Sequence, residues 1–370
     1  MEKEKMTYFL AITGSFLLTA VLTPALVRFA KKRNLLPPPR KRDLHAKKTP
    51  RLGGIAIVVS FLVVMICLAA FALPETTDFG FPFAIFDVSI DKRLLGILLA
   101  TILLSVVMLF DDLRGLPAYF KFFAQILVGL TLIASGIGIT YLNNPFGLAI
   151  ALDSVKFPLE IGGDVYHIVL WADLLFLAWV GLLMNATNFI DGLDGLASTL
   201  SLLSALILVG ISFRVSQPAT ALMAGVLAGA IAGFLPYNLP PARVFLGDTG
   251  SMFLGMMLAV LTVISGGKLA TLLLVFGLVI LDSLYVVVKR IIRRKNPFTT
   301  ADQTHLHHRF LQAGFSPTST LIFIVAFSLL FGAAGLLLEG KLKIIMVAVL
   351  AAVSLTIFIA LDLKKSKLKT

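Results

Sequence analysis

The sequence predicts an all-α polytopic membrane protein with about eleven transmembrane helices, and three observations carry that reading. The 370 residues are 58% hydrophobic and only 14% charged. The mean hydropathy is +0.96. Apolar runs repeatedly reach the roughly 20 residues that cross a bilayer as a helix. One soluble core cannot absorb that much apolar surface. The whole chain, 1–370, reads as a single integral membrane domain, without an internal repeat or a low-complexity tract.

In chain order the runs cover 7–29, 53–73, 94–111, 120–138, 167–187, 193–213, 218–235, 251–267, 269–291, 318–338 and 343–361. The first follows MEKEK with no small-residue cleavage site in range and is read as a retained span. The single cysteine, Cys67, falls within the second run and is expected to be a buried thiol. Between the fourth and fifth runs, 139–166 carries alternating and Gly- and Pro-marked pieces, GITYLNN and ALDSVKFPLEIGG, which suggest a small hairpin on the outer side.

An odd number of spans puts the termini on opposite sides of the membrane. With the N-terminus outside, the inward segments hold 23 of the 32 Lys and Arg residues, 10 of them between Arg28 and Arg51. Basic residues concentrate in cytoplasmic loops, so the expected orientation is N-terminus outside and C-terminus cytoplasmic. The net charge of +12 is then mostly a topology signal that also suits anionic lipid headgroups and anionic substrates. Nucleic acid is not an expected partner, because the basic residues are juxtamembrane and no recognition module is visible.

This topology gathers the polar clusters on the inner face. FDDLRGLPAYFK (110–121) follows the third span, NATNFIDGLDGLA (185–197) joins the fifth and sixth, NLPPARVFLGDTGS (238–251) joins the seventh and eighth, and KNPFTTADQTHLHHRF (295–310) joins the ninth and tenth. His45, His305, His307 and His308 share that face.

Each piece has a plain alternative. Asp111 and Asp112 could be a solvated helix end. Asp191 and Asp194, three apart, share a face in a helical turn, and Gly192 and Gly195 allow close backbone approach. Their loop lacks the EF-hand pattern and its terminal Glu. In LGDTGS, Thr249 or Ser251 could simply cap the eighth span. HLHH suits zinc poorly, having no cysteine partner and two adjacent histidines. Yet five carboxylates, three histidines, Lys and Arg at one membrane face are hard to attribute to packing. Oxygen ligands without thiolates suit a hard ion, Mg²⁺ or Mn²⁺, and hence a phosphate substrate.

Four ordered motifs, DDLRGL at 111–116, NATNFIDGLDGLA at 185–197, FLGDTGS at 245–251 and HLHHRF at 305–310, resemble the polyprenyl-phosphate N-acetylhexosamine-1-phosphate transferases. That superfamily includes the phospho-MurNAc-pentapeptide transferases. KKTPRLGG at 47–54 is similar to the family's first-loop segment, and Lys121 and Gln125 match the continuation of the first motif. HLHHR resembles the branch that transfers GlcNAc-1-phosphate to undecaprenyl phosphate; the pentapeptide branch typically reads PLHHH there.

The resemblance implies a reaction in which a lipid monophosphate attacks the sugar-bearing phosphorus of a UDP-sugar, releasing UMP. At an effective dielectric of about 20 and about 4 Å, each pair of unit charges repels by about 4 kcal/mol, so a cation is needed. Asp248 is expected to be the principal metal ligand, for Mg²⁺ or Mn²⁺. Asp191 and Asp194, with Asn185 and Asn188, are expected to line the nucleotide side, and Phe245 to stack on uracil. Asp111 or Asp112 would orient or deprotonate the lipid phosphate, whose second pKa of about 6 by analogy with phosphoserine makes a strong base unnecessary. His305, His307, His308 and Arg309 would contact phosphates or sugar, with His307 counted in the catalytic set. Lys47, Lys121 and the basic first loop would hold the lipid head or the donor. The implied partners are a UDP-sugar, undecaprenyl phosphate and membrane lipids, with a homodimer as a possible assembly, in the inner membrane of a bacterium with the site facing the cytoplasm.

Rival classes fit less well. An ion- or proton-coupled transporter calls for acids deep within spans, whereas these five fall at span ends and Asp282 is the only acid well inside a cytoplasmic half-span. A CDP-alcohol phosphotransferase requires an Ala-Arg pair after its DG, which NFIDGLDGLASTL lacks.

Overall fold

A computed structural model describes residues 2–35, 49–71, 82–85, 88–142, 144, 147–161, 164–266, 269–292, 294 and 304–367. The expectations for His45 and Lys47 lie outside the described residues.

The helices are α1 (Glu2–Lys32), α2 (Gly53–Phe71), α3 (Lys92–Arg114), α4 (Ala118–Ala134), α5 (Leu170–Ile190), α6 (Leu196–Arg214), α7 (Pro218–Asn238), α8 (Gly247–Ile264), α9 (Leu269–Ile292), α10 (Leu306–Gln312), α11 (Pro317–Leu337) and α12 (Gly340–Lys367). Among the described residues, ten are long and apolar enough to cross a membrane. The apolar α4 has 17 residues, about 25 Å at 1.5 Å per residue. With it, the eleven expected spans are all present, displaced by a few residues at their ends. The seven-residue α10 is additional and lies inside a segment read as a loop.

Three short antiparallel hairpins complete the described chain. β3 (Tyr141–Leu142) pairs with β4 (Ile150–Ala151), and β5 (Lys156–Ile161) pairs with β6 (Asp164–Val169) in the register Lys156↔Val169. These realise the hairpin expected within 139–166, as two pairs instead of one and running on to Val169. The pair β1 (Pro82–Ile85) and β2 (Val88–Asp91) was not anticipated. Its last residue, Asp91, starts α3 by accepting hydrogen bonds from the backbone N–H groups of Arg93 and Leu94, satisfying donors that a helix start leaves free.

α8 is the hub. Its sequence GDTGSMFLGMMLAVLTVI is apolar almost all round, the signature of a helix enclosed by others, and every one of its residues is buried. It packs against α2, α3, α5 and α6. Missing side chains make these approaches possible: a Cβ on Gly54 of α2 would stand 2.2 Å from the Gly250 nitrogen, and one on Gly255 would stand 2.4 Å from the Leu183 carbonyl oxygen of α5. α1 lies on α7 by the same device. A Cβ on Gly229 would meet the Ile12 carbonyl oxygen at 2.4 Å, and one on Gly233 the Phe16 carbonyl oxygen at 2.3 Å. Small residues spaced by four let helix backbones approach in a bilayer, where lipid is as apolar as the side chains it competes with.

Cys67 is exposed, not buried. It shares the outward face of α2 with Val63 and Ile66. Because α2 is apolar on all sides, composition could not tell its lipid-facing side from its packed one.

Candidate functional site

The site is built where α8 begins. Gly247 takes φ +74°, and a Cβ there would collide with the Arg51 carbonyl oxygen at 2.3 Å, so only glycine can open this helix without displacing the neighbouring chain. That chain is the start of α2: Phe245 N–H donates to the Pro50 carbonyl, and the N–H groups of Gly53 and Gly54 donate to the carbonyls of Phe245 and Leu246. The first-loop motif and FLGDTGS are thereby tied backbone to backbone. Phe245 is half-buried beside this seam.

Neither Thr249 nor Ser251 caps α8, so the plain alternative weighed for LGDTGS does not hold. The cap comes from α3. Asp112 Oδ1 accepts the Asp248 N–H at 2.8 Å, and Oδ2 accepts the Thr249 N–H at 2.9 Å and the Thr249 hydroxyl at 2.7 Å. A carboxylate here meets both the free amides and the positive end of the helix dipole. Ser251 instead donates to the Gly247 carbonyl and accepts from Asn188 Nδ2 at 2.9 Å, fastening α5 to α8.

α3 ends at Gly115, φ +73°, and the Leu116-Pro117 step folds α4 back beside it. The Leu116 N–H donates to Asp111 Oδ1 at 2.6 Å. The turn brings Lys121 of α4 into the acidic group, where its Nζ lies 2.5 Å from Asp111 Oδ2 and 2.5 Å from Asp248 Oδ2. One turn further along α4, Gln125 exchanges two hydrogen bonds with Asn185 of α5.

Asp111, Asp112 and Asp248 each offer a carboxylate oxygen, and these oxygens all lie within 4.8 Å of one another. The donor chemistry fits a hard divalent cation, which takes one or two carboxylates and fills its other positions with water or phosphate oxygens. Asp112 is engaged by three hydrogen bonds from the first turn of α8, while Asp111 Oδ2 and Asp248 Oδ2 are spanned by the Lys121 ammonium. Two carboxylates about 5 Å apart repel by about 3 kcal/mol at an effective dielectric of 20, which explains why a cation is built in between them.

The DGLDG stretch is a turn between α5 and α6, so Asp191 and Asp194 do not share a helical face as expected. Asp191 ends α5 half-buried, and Asp194 Oδ2 accepts the Ala242 N–H at 2.9 Å, tying this turn to the segment that leads into FLGDTGS. Gly192 makes room for a histidine: a Cβ on it would stand 2.6 Å from His307 Nε2. His308 lies with its ring centroid 4.2 Å from that of His307, and the His305 ring lies 5.0 Å from that of Phe189.

Arg309, expected to contact phosphates or sugar, is engaged by the protein itself. It is 3% exposed; its Nη2 donates to Asp282 Oδ1 of α9 at 2.5 Å, and its guanidinium lies over the rings of Tyr285 and Phe358. Asp282 was assigned no role by the sequence, although an acid inside an apolar span is itself the signal that a partner exists.

The four motifs thus meet at one end of the bundle through Asp112–Asp248, Asn188–Ser251 and the Gly192–His307 contact. At the opposite end, Arg214 reaches from the α6–α7 turn to Glu339 at 2.9 Å and to the Leu336 carbonyl.

Comparison with known proteins agrees with this constellation. Residues 94–266 match the model of glycosyl transferase family 4. The chain is 33% identical to a decaprenyl-phosphate N-acetylglucosaminephosphotransferase of Mycolicibacterium smegmatis, over 86% of this chain and 80% of the relative. It is 32% identical to an undecaprenyl-phosphate alpha-N-acetylglucosaminyl 1-phosphate transferase of Thermotoga maritima, over 87% of each. A probable undecaprenyl-phosphate N-acetylglucosaminyl 1-phosphate transferase of Bacillus subtilis is 27% identical over 92% of this chain and 87% of its own length. With relatives more than 30% identical over more than four-fifths of its length, the chain belongs to glycosyl transferase family 4.

Proposed function

We propose that this chain transfers N-acetylglucosamine 1-phosphate from UDP-N-acetylglucosamine to undecaprenyl phosphate, releasing UMP and starting a lipid-linked envelope glycan. The observation that carries the reading is the carboxylate group of Asp111, Asp112 and Asp248 at one end of a membrane bundle, with Lys121 inserted into it. The names of three relatives, each a polyprenyl-phosphate N-acetylglucosaminyl 1-phosphate transferase, point to the same chemistry. HLHHR, in place of the pentapeptide branch's PLHHH, supports N-acetylglucosamine as the sugar.

In this reading Asp248 and Asp111 hold Mg²⁺, with Mn²⁺ as a substitute. When bound, the ion neutralises the pyrophosphate and stabilises the departing UMP. Asp112 acts through α8, aiming Asp248 by capping the helix that carries it. Lys121 holds the acceptor phosphate beside the donor, bringing two anions together where both would otherwise be repelled. An acceptor oxygen forms the new bond to the sugar-bearing phosphorus, the bond from that phosphorus to the UMP oxygen breaks, and direct attack needs no covalent enzyme intermediate. Asp191, Asp194, Asn185 and Asn188 line the nucleotide side, Phe245 stacks on uracil, and His305, His307 and His308 supply donors to the phosphates and sugar. Arg309 serves by holding α10 in place. Lys47 belongs to the basic first loop that receives the lipid head or the donor.

The site faces the cytoplasm of a bacterial inner membrane, where nucleotide sugars are made, and residues 1–370 act as one domain. A donor screen tests the reading: purified protein with undecaprenyl phosphate and Mg²⁺ forms a lipid-linked pyrophosphoryl sugar from UDP-N-acetylglucosamine faster than from other UDP-sugars. Exclusive use of UDP-MurNAc-pentapeptide would move it to the other branch.

A further inference from the structure

The most deeply buried acid that the transferase reading leaves unused is Asp282. It is 1% exposed within α9, and a bare carboxylate at that depth is disfavoured unless it is compensated. Its partners all come from one short segment. Oδ2 accepts the Leu306 N–H at 3.0 Å and lies 3.0 Å from His305 Nδ1, while Oδ1 accepts Arg309 Nη2 at 2.5 Å. Asp282 therefore grips α10 at both ends of its first turn. The segment is braced further: Arg309 Nη1 lies 3.9 Å from Oδ1 of Asp362 on α12, whose Oδ2 accepts from Tyr285 and Lys289. On the other side, the His307 ring fills the space left by Gly192 in the DGLDG turn.

We infer that Asp282 is a positioning residue for the transfer reaction: it orients His305 through Nδ1 and seats α10 so that His307 meets the DGLDG turn. A carboxylate opposite Nδ1 selects the form with a proton on that nitrogen, which fixes the ring and leaves Nε2 as the nitrogen available to substrate. Only an acceptor can receive a ring N–H, a backbone N–H and a guanidinium together; an amide offers one oxygen where three donors converge. The inference rests on the transferase reading above.

The test compares wild type, Asp282→Asn, His305→Asn and the double variant. It reads UMP release at varied UDP-N-acetylglucosamine and hydrogen–deuterium exchange across 304–312. Asp282→Asn is expected to lower kcat by about 10- to 100-fold, as loss of a histidine's orienting partner does, with KM changed less than about threefold. The double variant should be no slower than the slower single variant, because both changes act through one ring. Exchange across 304–312 should rise while that of α8 stays unchanged. If Asp282→Asn fails to fold, Asp282→Asn with Arg309→Gln, which removes both buried charges, takes its place under the same expectations. A wild-type kcat, multiplicative losses in the double variant, or unchanged exchange overturns the positioning role. Absence of UMP release by wild type from any UDP-HexNAc overturns the transferase reading instead, and the exchange result still decides whether Asp282 holds α10.

Discussion

Replacing Asp112 by Asn should destabilise the protein far more than the same change at Asp248. Asp112 accepts three hydrogen bonds from the first turn of α8. The amide of Asn keeps one acceptor oxygen and turns an NH₂ toward the remaining donors. Hydrogen bonds to charged groups contribute about 1.5–3 kcal/mol each, and a carboxylate at a partly buried helix N-terminus adds up to about 2 kcal/mol. Allowing for relaxation and for the bond that survives, the loss is about 2–4 kcal/mol, which for a chain of 370 residues corresponds to roughly 3–5 °C in melting temperature. Asp248 keeps its backbone N–H after substitution, and the carboxylate it loses is one of two that crowd Lys121, so Asp248→Asn should shift melting by about 2 °C at most. Intrinsic fluorescence of Trp171 and Trp179 in detergent follows both transitions. Equal melting temperatures for Asp112→Asn and wild type would refute the capping role.

Lys121→Met leaves Asp111 and Asp248 facing each other without a built-in cation; thermal shift and Mn²⁺ electron paramagnetic resonance should show lower stability without metal and tighter Mn²⁺ binding than in wild type. Unchanged Mn²⁺ affinity would mean that the ammonium does not compete for the cation's place. Gly229→Leu places a side chain where the Ile12 carbonyl already sits at 2.4 Å from the first added carbon, so α1 must separate from α7, and the yield of monodisperse protein should fall severalfold. In a Cys67→Ser background, Ser216→Cys should react with an impermeant maleimide in intact cells and Thr318→Cys only after permeabilisation; labelling of both from the same side contradicts the orientation.

Hydropathy located the spans because crossing a bilayer is mainly a demand for length and apolar composition, which runs such as 53–73 and 269–291 meet without reference to their neighbours. It also placed the motifs at one end, since alternation of eleven spans assigns each loop a side. Roles that depend on a partner distant in sequence were not legible. The cap of α8 looked local, with Thr249 and Ser251 in suitable positions, yet it comes from Asp112, 136 residues earlier. Arg309 was read as a contact to phosphates or sugar from its place in HLHHRF, and its ion pair with Asp282 of the preceding span was not legible from that motif. β1 and β2 were missed because four-residue strands carry too little alternation to register. Cys67 was misplaced because a helix apolar on every side does not declare which face its neighbours cover.

The central claim is that Asp248 and Asp111 support metal-dependent transfer, and stoichiometric UMP release by the purified protein tests it most directly. With UDP-N-acetylglucosamine and undecaprenyl phosphate, wild type should release UMP, stop when EDTA is added and resume with excess Mg²⁺, while folded Asp248→Asn should lose nearly all turnover. Release that persists in EDTA, or near-normal turnover by Asp248→Asn, would contradict it.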